Sequence, residues 1–262
     1  MKRCINFMVI VIVVFTYVDS GWGESITWIT DNTPGGHFII GGGTTFDENK
    51  PGIEIELYQM VAEKLGLDVT FKRAPWNMCL KQLEHNQVEG LFPASFKQDR
   101  MKIGVYPMKG EEVDLTRKTR DNAYYLYALP SARISYTQGE IKVLEGKIGV
   151  PIGWSIVEDL KQKELPIKEV PIHRNTPDLL LQKRLEGFIC LETVFDAYLN
   201  RQSSKYGEIQ KLIPPVKEKP YYLMLSHKFV KENPTTAKKI WDSIYDIKQS
   251  EEYTKLVDKY ID

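Results

Sequence analysis

The chain has 262 residues, and its 35 basic and 35 acidic side chains leave a formal net charge of zero. Acids and bases are interleaved throughout, which excludes the basic stripe that nucleic-acid binding requires. The length accommodates one large domain or two smaller lobes with real cores.

Lys2 and Arg3 precede the apolar run INFMVIVIVVF, and GWGES then sets Gly21 and Gly23 at small-residue positions. This is the pattern of a secretory signal peptide over residues 1–23, cleaved before Glu24. The run is shorter than the roughly 20 residues of a bilayer span, which favours a leader over an uncleaved anchor. No later stretch is apolar enough to cross a membrane. Cys4 leaves with the leader, and nothing around it resembles a lipobox. Cys79 and Cys190 then remain in an oxidising compartment. Each sits in an apolar segment, where a free cysteine behaves as a small buried hydrophobe. They are read as unbonded, although only geometry decides a disulfide.

ITWIT (26–30) reads as a strand, followed by the glycine-rich PGGHFIIGGGTTFDENKPG. Leu57, Val61 and Leu65 recur at four-residue spacing from Ile55, which predicts an amphipathic helix stopped by Gly66. DVTFK is a second strand, WNMCLKQLEH a helix offering Met78, Cys79, Leu80 and Leu83 to the core, and VEGLF a third strand. The same β-α-β-α-β order repeats as KIGV, SIVEDLKQK, IKEV, TPDLLLQKRL and GFICL. Two such units with short links predict two α/β lobes rather than one continuous sheet.

The aromatic runs AYYLYAL and PYYLMLS lie between and after the units and read as strands. The C-terminal segment reads as two helices, with apolar faces at Ile240, Ile244 and Ile247 and at Tyr253, Leu256, Val257 and Tyr260. These helices need a sheet to cover and are too small for a third lobe. They are therefore expected to return to the first lobe, so that two strands cross between lobes as a hinge. The expected lobes are 24–123 plus 222–262, and 124–221.

In this order the motifs GIEIELYQMVAEKLGLDVTFK, VEGLFPASFKQDR, LEGKIGVPIGWS and SEEYTKLVDKYI carry a resemblance. Across the mature chain, the sequence resembles the periplasmic solute-binding proteins of ABC importers, in the branch that binds polar amino acids. The resemblance implies a two-lobed Venus-flytrap fold of the type 2 periplasmic-binding class. It also implies a small ligand in the interlobe cleft and a membrane permease as partner. A periplasmic location, a monomer and no cofactor go with it.

Open α/β sheets bind ligands at the carboxyl ends of their strands, so the turns there are the candidates. Arg100 follows Ser95 by the five positions the family uses, and a guanidinium matches a carboxylate through two parallel charge-assisted hydrogen bonds. The alternative is a surface arginine at a helix start. The turn is one residue shorter than in many amino-acid binders, and Pro93 replaces a residue with a backbone N–H. Ser155 opens a helix after PIGW, where unpaired N–H groups suit a carboxylate, or where the hydroxyl simply caps the helix.

Trp154 stands where the family has a small residue and would reshape the pocket. Asp31, at the end of the first strand, matches an acid of cationic-amino-acid binders, or shapes an Asx turn. Trp76 is placed to face a ligand side chain, or belongs to the core. Glu192 comes one residue after the position where the family has an α-amino-binding aspartate, which Leu191 occupies here; it is expected either to reach back or to be a solvated helix-start acid.

The four histidines, His37, His85, His173 and His227, are scattered, so a metal site is not expected. GGGTTF lacks the Lys-Ser/Thr of a phosphate loop and is expected to form a flexible cleft rim. An enzyme of the same fold, dehydratase-like, would need a second catalytic group beside Glu192 or Asp31. A soluble accessory presenting ligand to a receptor is the other alternative.

Overall fold

The computed structural model describes residues 25–261, so the expected leader over 1–23 lies outside the described residues. The first lobe begins with β1 (Ile26–Asp31), a short ribbon of β2 (Gly41–Gly42) and β3 (Thr45–Phe46), and α1 (Ile53–Leu65). It continues with β4 (Val69–Ala74), α2 (Trp76–Glu84) and β5 (Gly90–Ser95). A 3-10 turn at Gln98–Lys102 and the ribbon β6 (Met108–Lys109) and β7 (Glu112–Val113) lead to the long strand β8 (Arg120–Ala128).

The second lobe carries the hairpin β9 (Ile134–Thr137) and β10 (Glu140–Val143), then β11 (Ile148–Pro151), α3 (Ile156–Gln162) and β12 (Ile167–Val170). After them come α4 (Asp178–Leu181), β13 (Gly187–Leu191), α5 (Glu192–Asn200) and α6 (Ser203–Tyr206). Strand β14 (Gln210–Leu225) returns the chain to the first lobe, which α7 (His227–Glu232), α8 (Pro234–Lys248) and α9 (Glu251–Ile261) complete. No helix among the described residues is long and apolar enough to cross a membrane.

One curled sheet runs through the molecule in the order β12-β11-β13-β8-β14-β5-β1-β4. Here the expectation of two separate sheets needs correcting. Each lobe has its own parallel set, but β8 and β14 pair with each other and each also pairs with one set. Hydrogen bonding is therefore continuous across the crossing. The pairing of β14 with β8 shifts register between Leu212 and Lys217. The intervening IPPV holds Pro214 and Pro215, which have no N–H to give the ladder.

Alternation along β5 sends Leu91 and Phe92 to opposite faces, each covered by helices. On one face Trp28, Tyr58, Phe92, Leu223, Ile240 and Ile244 form a cluster. On the other, Leu91 packs with Cys79, Leu83, Tyr222 and Met224. The second lobe has its own core around Val150, Phe188, Ile189 and Phe195. Helix α8 lies on α1, and Trp241 Nε1 donates to the Leu223 carbonyl at 2.8 Å. Helix α9 joins it through Leu256 and Tyr260 against Ile53.

Other expectations need adjustment. Met78 is exposed, because α2 turns only Cys79 and Leu83 fully inward. The predicted helix over TPDLLLQKRL closes after one turn, α4, since Lys183 takes a left-handed φ of 52°. GGGTTF forms the β2–β3 ribbon rather than a flexible rim. A Cβ at Gly41, with φ 137°, would lie 2.4 Å from the Thr45 carbonyl oxygen, and Arg73 Nη1 donates to that carbonyl at 3.1 Å. Cys79 and Cys190 are both free and buried. Burial pushes the Cys79 thiol up to about 12.

Ile244 is fully buried where α8 meets this sheet. Replacing it with alanine should cost about 2–5 kcal/mol of stability through lost burial and a residual cavity. Chemical denaturation should show this as a lower midpoint with an unchanged slope.

Candidate functional site

The carboxyl ends of β1, β5, β11 and β13 converge with the crossing strands on one cavity of about 500 Å³, part of it open to solvent. Six of the seven expected site residues line it: Asp31, Trp76, Ser95, Arg100, Trp154 and Ser155. They arrive from separate elements. Asp31 and Ser95 are the last residues of their strands, Trp76 begins α2, and Arg100 sits on the 3-10 turn after β5. Trp154 and Ser155 immediately precede α3.

These groups touch one another across the lobes. Ser95 Oγ donates to Ser155 Oγ at 2.6 Å. Arg100 Nη1 donates to the Ser95 carbonyl at 3.0 Å and approaches its hydroxyl at 3.4 Å. Its Nη2 reaches the Gly153 carbonyl at 3.2 Å. Trp76 Nε1 donates to the same carbonyl at 3.4 Å, and its ring lies under the Arg100 guanidinium at 5.0 Å. Tyr124 and Tyr221 carry the network into the crossing strands, with the Tyr221 hydroxyl donating to that of Tyr124 at 3.0 Å. Burial holds the Tyr124 hydroxyl up at about 12, so it stays protonated. Trp154 stands edge-on to Tyr124 at 6.2 Å.

Arg100 is only 7 % exposed, and its partners are two carbonyls and a hydroxyl. No described carboxylate lies within ion-pair distance of it. A buried guanidinium without a counter-charge is costly. That cost falls if an anion enters the cavity.

Two expected roles differ in detail. Ser155 has helical dihedrals and makes no side-chain cap, because its hydroxyl is turned to Ser95. Glu192 does not line the cavity. As the first residue of α5 it points to the adjacent strand β14, where its carboxylate meets Lys211 Nζ at 3.2 Å. Leu191, Thr193 and Val194 face the cavity instead. Asp31 accepts a hydrogen bond from the Thr33 N–H at 2.5 Å, the Asx arrangement.

The sequence reading missed Arg120, Tyr124 and Tyr221, which also line the cavity. AYYLYAL and PYYLMLS were legible as strands, but their place at the cavity follows from both strands crossing between the lobes. No cluster of metal-ligating side chains occurs among the described residues.

Residues 44–262 match the family described as bacterial extracellular solute-binding proteins, family 3. Among solved structures, a histidine kinase sensor domain with similarity to periplasmic binding proteins superposes with TM-score 0.71 at 13 % identity, covering 91 % of this chain and 96 % of that one. An ancestral arginine-binding protein bound to arginine gives 0.67 at 18 % identity, with 91 % and 98 % covered. The GluR0 ligand-binding core from Nostoc punctiforme with L-glutamate gives 0.66 at 16 %, with 90 % and 99 % covered. At these identities the likeness is one of fold. The search of curated proteins returned no match.

Burial raises the Asp31 carboxyl above its ordinary 3.8, against the opposing pull of the Thr33 hydrogen bonds and Arg73. A carboxyl with a raised folded pKa binds protons preferentially in the folded state. Its contribution to stability therefore falls as pH rises from the unfolded value through the folded one. Asp31→Asn should raise the melting temperature at pH 7 and leave it nearly unchanged near pH 3. Thermal unfolding at both pH values reads the difference.

Proposed function

This chain belongs to the bacterial extracellular solute-binding proteins of family 3, and we propose that it captures a small carboxylate-bearing polar solute in the interlobe cavity and delivers it to an ABC-transporter permease. The observation that carries the reading is the buried Arg100, whose charge no described carboxylate answers. A ligand carboxylate would take the two parallel donors of its guanidinium. The hydroxyls of Ser95 and Ser155 would supply further hydrogen bonds, and Trp76 and Trp154 the apolar walls. Asp31 would contact a donor group of the solute. The protein acts outside the cytoplasm, in keeping with its family.

Residues 24–123 with 222–262, and 124–221, are proposed as the two moving lobes, with the central residues of β8 and β14 as the hinge. Contacts from both lobes to one ligand exist only in the closed form, so ligand shifts the open-closed equilibrium by that difference in affinity. A monomer suffices for this cycle. The dehydratase-like alternative asks for a second acid or base in the cavity. Asp31 is the one carboxylate in its described lining, with no histidine beside it.

A thermal-shift screen of amino acids, opines and small carboxylates should find at least one compound that raises the melting temperature by mass action. No shift from any of them would exclude the ligand class, and turnover of the bound compound would favour the enzyme. Arg100→Ala should weaken that ligand about 10- to 150-fold, the worth of a hydrogen bond to a charged group. Arg133→Ala is the control, since Arg133 is exposed and pairs with Glu145 away from the cavity. Equal effects of the two substitutions would remove Arg100 from the site.

A further inference from the structure

The surroundings of Arg100 are rich in donors and poor in free acceptors. Two carbonyls stand there, each with two lone pairs to offer. The Ser95 carbonyl accepts from Arg100 Nη1 at 3.0 Å and from the Tyr106 hydroxyl at 2.9 Å. The Gly153 carbonyl accepts from Arg100 Nη2 at 3.2 Å and from Trp76 Nε1 at 3.4 Å. The hydroxyls of Ser95 and Ser155 are bonded to each other. A donor on the carbon next to the solute's carboxylate would meet acceptors already in use.

Asp31 offers a free one. One of its oxygens takes the Thr33 N–H, which leaves the other for a donor in the cavity that Asp31 lines. Strand β1 runs parallel to β5 with Thr30 opposite Phe92, so Asp31 comes level with Pro93 and falls short of Ser95. At the rise of a strand that shortfall is about 7 Å, and neighbouring strands add a lateral spacing of about 5 Å. The surroundings differ accordingly. Asp31 is in electrostatic reach of Arg73, Cys190 and Tyr198. Arg100 is in reach of Tyr106, Tyr124 and Tyr221. The cavity thus has a donor pole at Arg100 and an acceptor pole at Asp31, and Ile39, Leu191 and Val194 add apolar wall.

We propose that the solute is a short-chain monocarboxylate with its hydrogen-bond donor at the far end of the chain, the carboxylate on Arg100 and the donor on Asp31. An ammonium and a hydroxyl share this chemistry. The inference rests on the solute-binding reading above and fixes where the donor stands on the molecule.

Calorimetry on the purified protein with positional isomers tests it: γ- against α-aminobutyrate, δ-aminovalerate against norvaline, and γ- against α-hydroxybutyrate, with butyrate as the bare carboxylate. In at least one pair the distal isomer should bind about tenfold or more tightly than both its α isomer and butyrate. The amino and hydroxy pairs read which donor is taken. Asp31→Ala should erase that preference, and the exposed Arg133→Ala should keep it. If the alanine variant at position 31 does not fold, Asp31→Asn makes the same comparison. An α isomer that binds as tightly or more tightly in every pair, or a preference that survives the Asp31 substitution, overturns the inference and leaves the solute-binding reading standing. Binding of none of these acids also overturns it, and the solute-binding reading falls with it only if the wider thermal-shift screen is silent too.

Discussion

A buried guanidinium needs both its donors and its charge answered; in Arg100 the protein engages Nη1 and Nη2 in part, and no described carboxylate answers the charge. Its hydrogen bonds run to Ser95 in one lobe and to Gly153 in the other. The same side chain thus ties the lobes together and leaves a positive charge facing the cavity. Trp76 flanks it and reaches the same Gly153 carbonyl. Much of the surrounding structure exists to hold this geometry. Strand β5 is buried on both faces, so the turn that carries Arg100 starts from a fixed point. Tyr106 donates to the Ser95 carbonyl at 2.9 Å and fixes the strand end itself.

The continuous sheet would serve as the hinge of the proposed closure. β8 and β14 are hydrogen-bonded to each other and to both parallel sets, so the lobes share a hinge made of strands rather than a flexible linker. Ser95–Ser155, Arg100–Gly153 and Trp76–Gly153 all span the lobes. Within the second lobe, Lys219 donates to the Ser155 carbonyl at 3.2 Å. The contacts that span the lobes favour closure modestly, and a ligand between the same groups would add to them.

How much was legible in the sequence depended on the range of the interaction. The two β-α-β-α-β units came from local periodicity, and each strand of the parallel sets lies where alternation and flanking glycines put it. The Ser95–Arg100 spacing was readable because both residues belong to one strand-turn segment. Glu192 was misplaced because a single step around the start of α5 decides whether a side chain faces the cavity or Lys211. Thr193 is one residue further on and takes the inward position. Ser155 was read as a carboxylate contact or a helix cap, and nothing local reveals the Ser95 hydroxyl 60 residues away as its partner. Arg120 was missed for a similar reason. Its place follows from Glu54 and Phe38, both on a distant segment of the first lobe.

The central claim is that an anionic group of the solute answers the charge of Arg100. A crystal structure of the protein with its bound solute tests this most directly. The account predicts a carboxylate oxygen pair about 2.7–2.9 Å from the Arg100 guanidinium nitrogens, the range of charge-assisted hydrogen bonds. A solute seated with its anionic group elsewhere, and Arg100 still holding only Ser95 and Gly153, would contradict it.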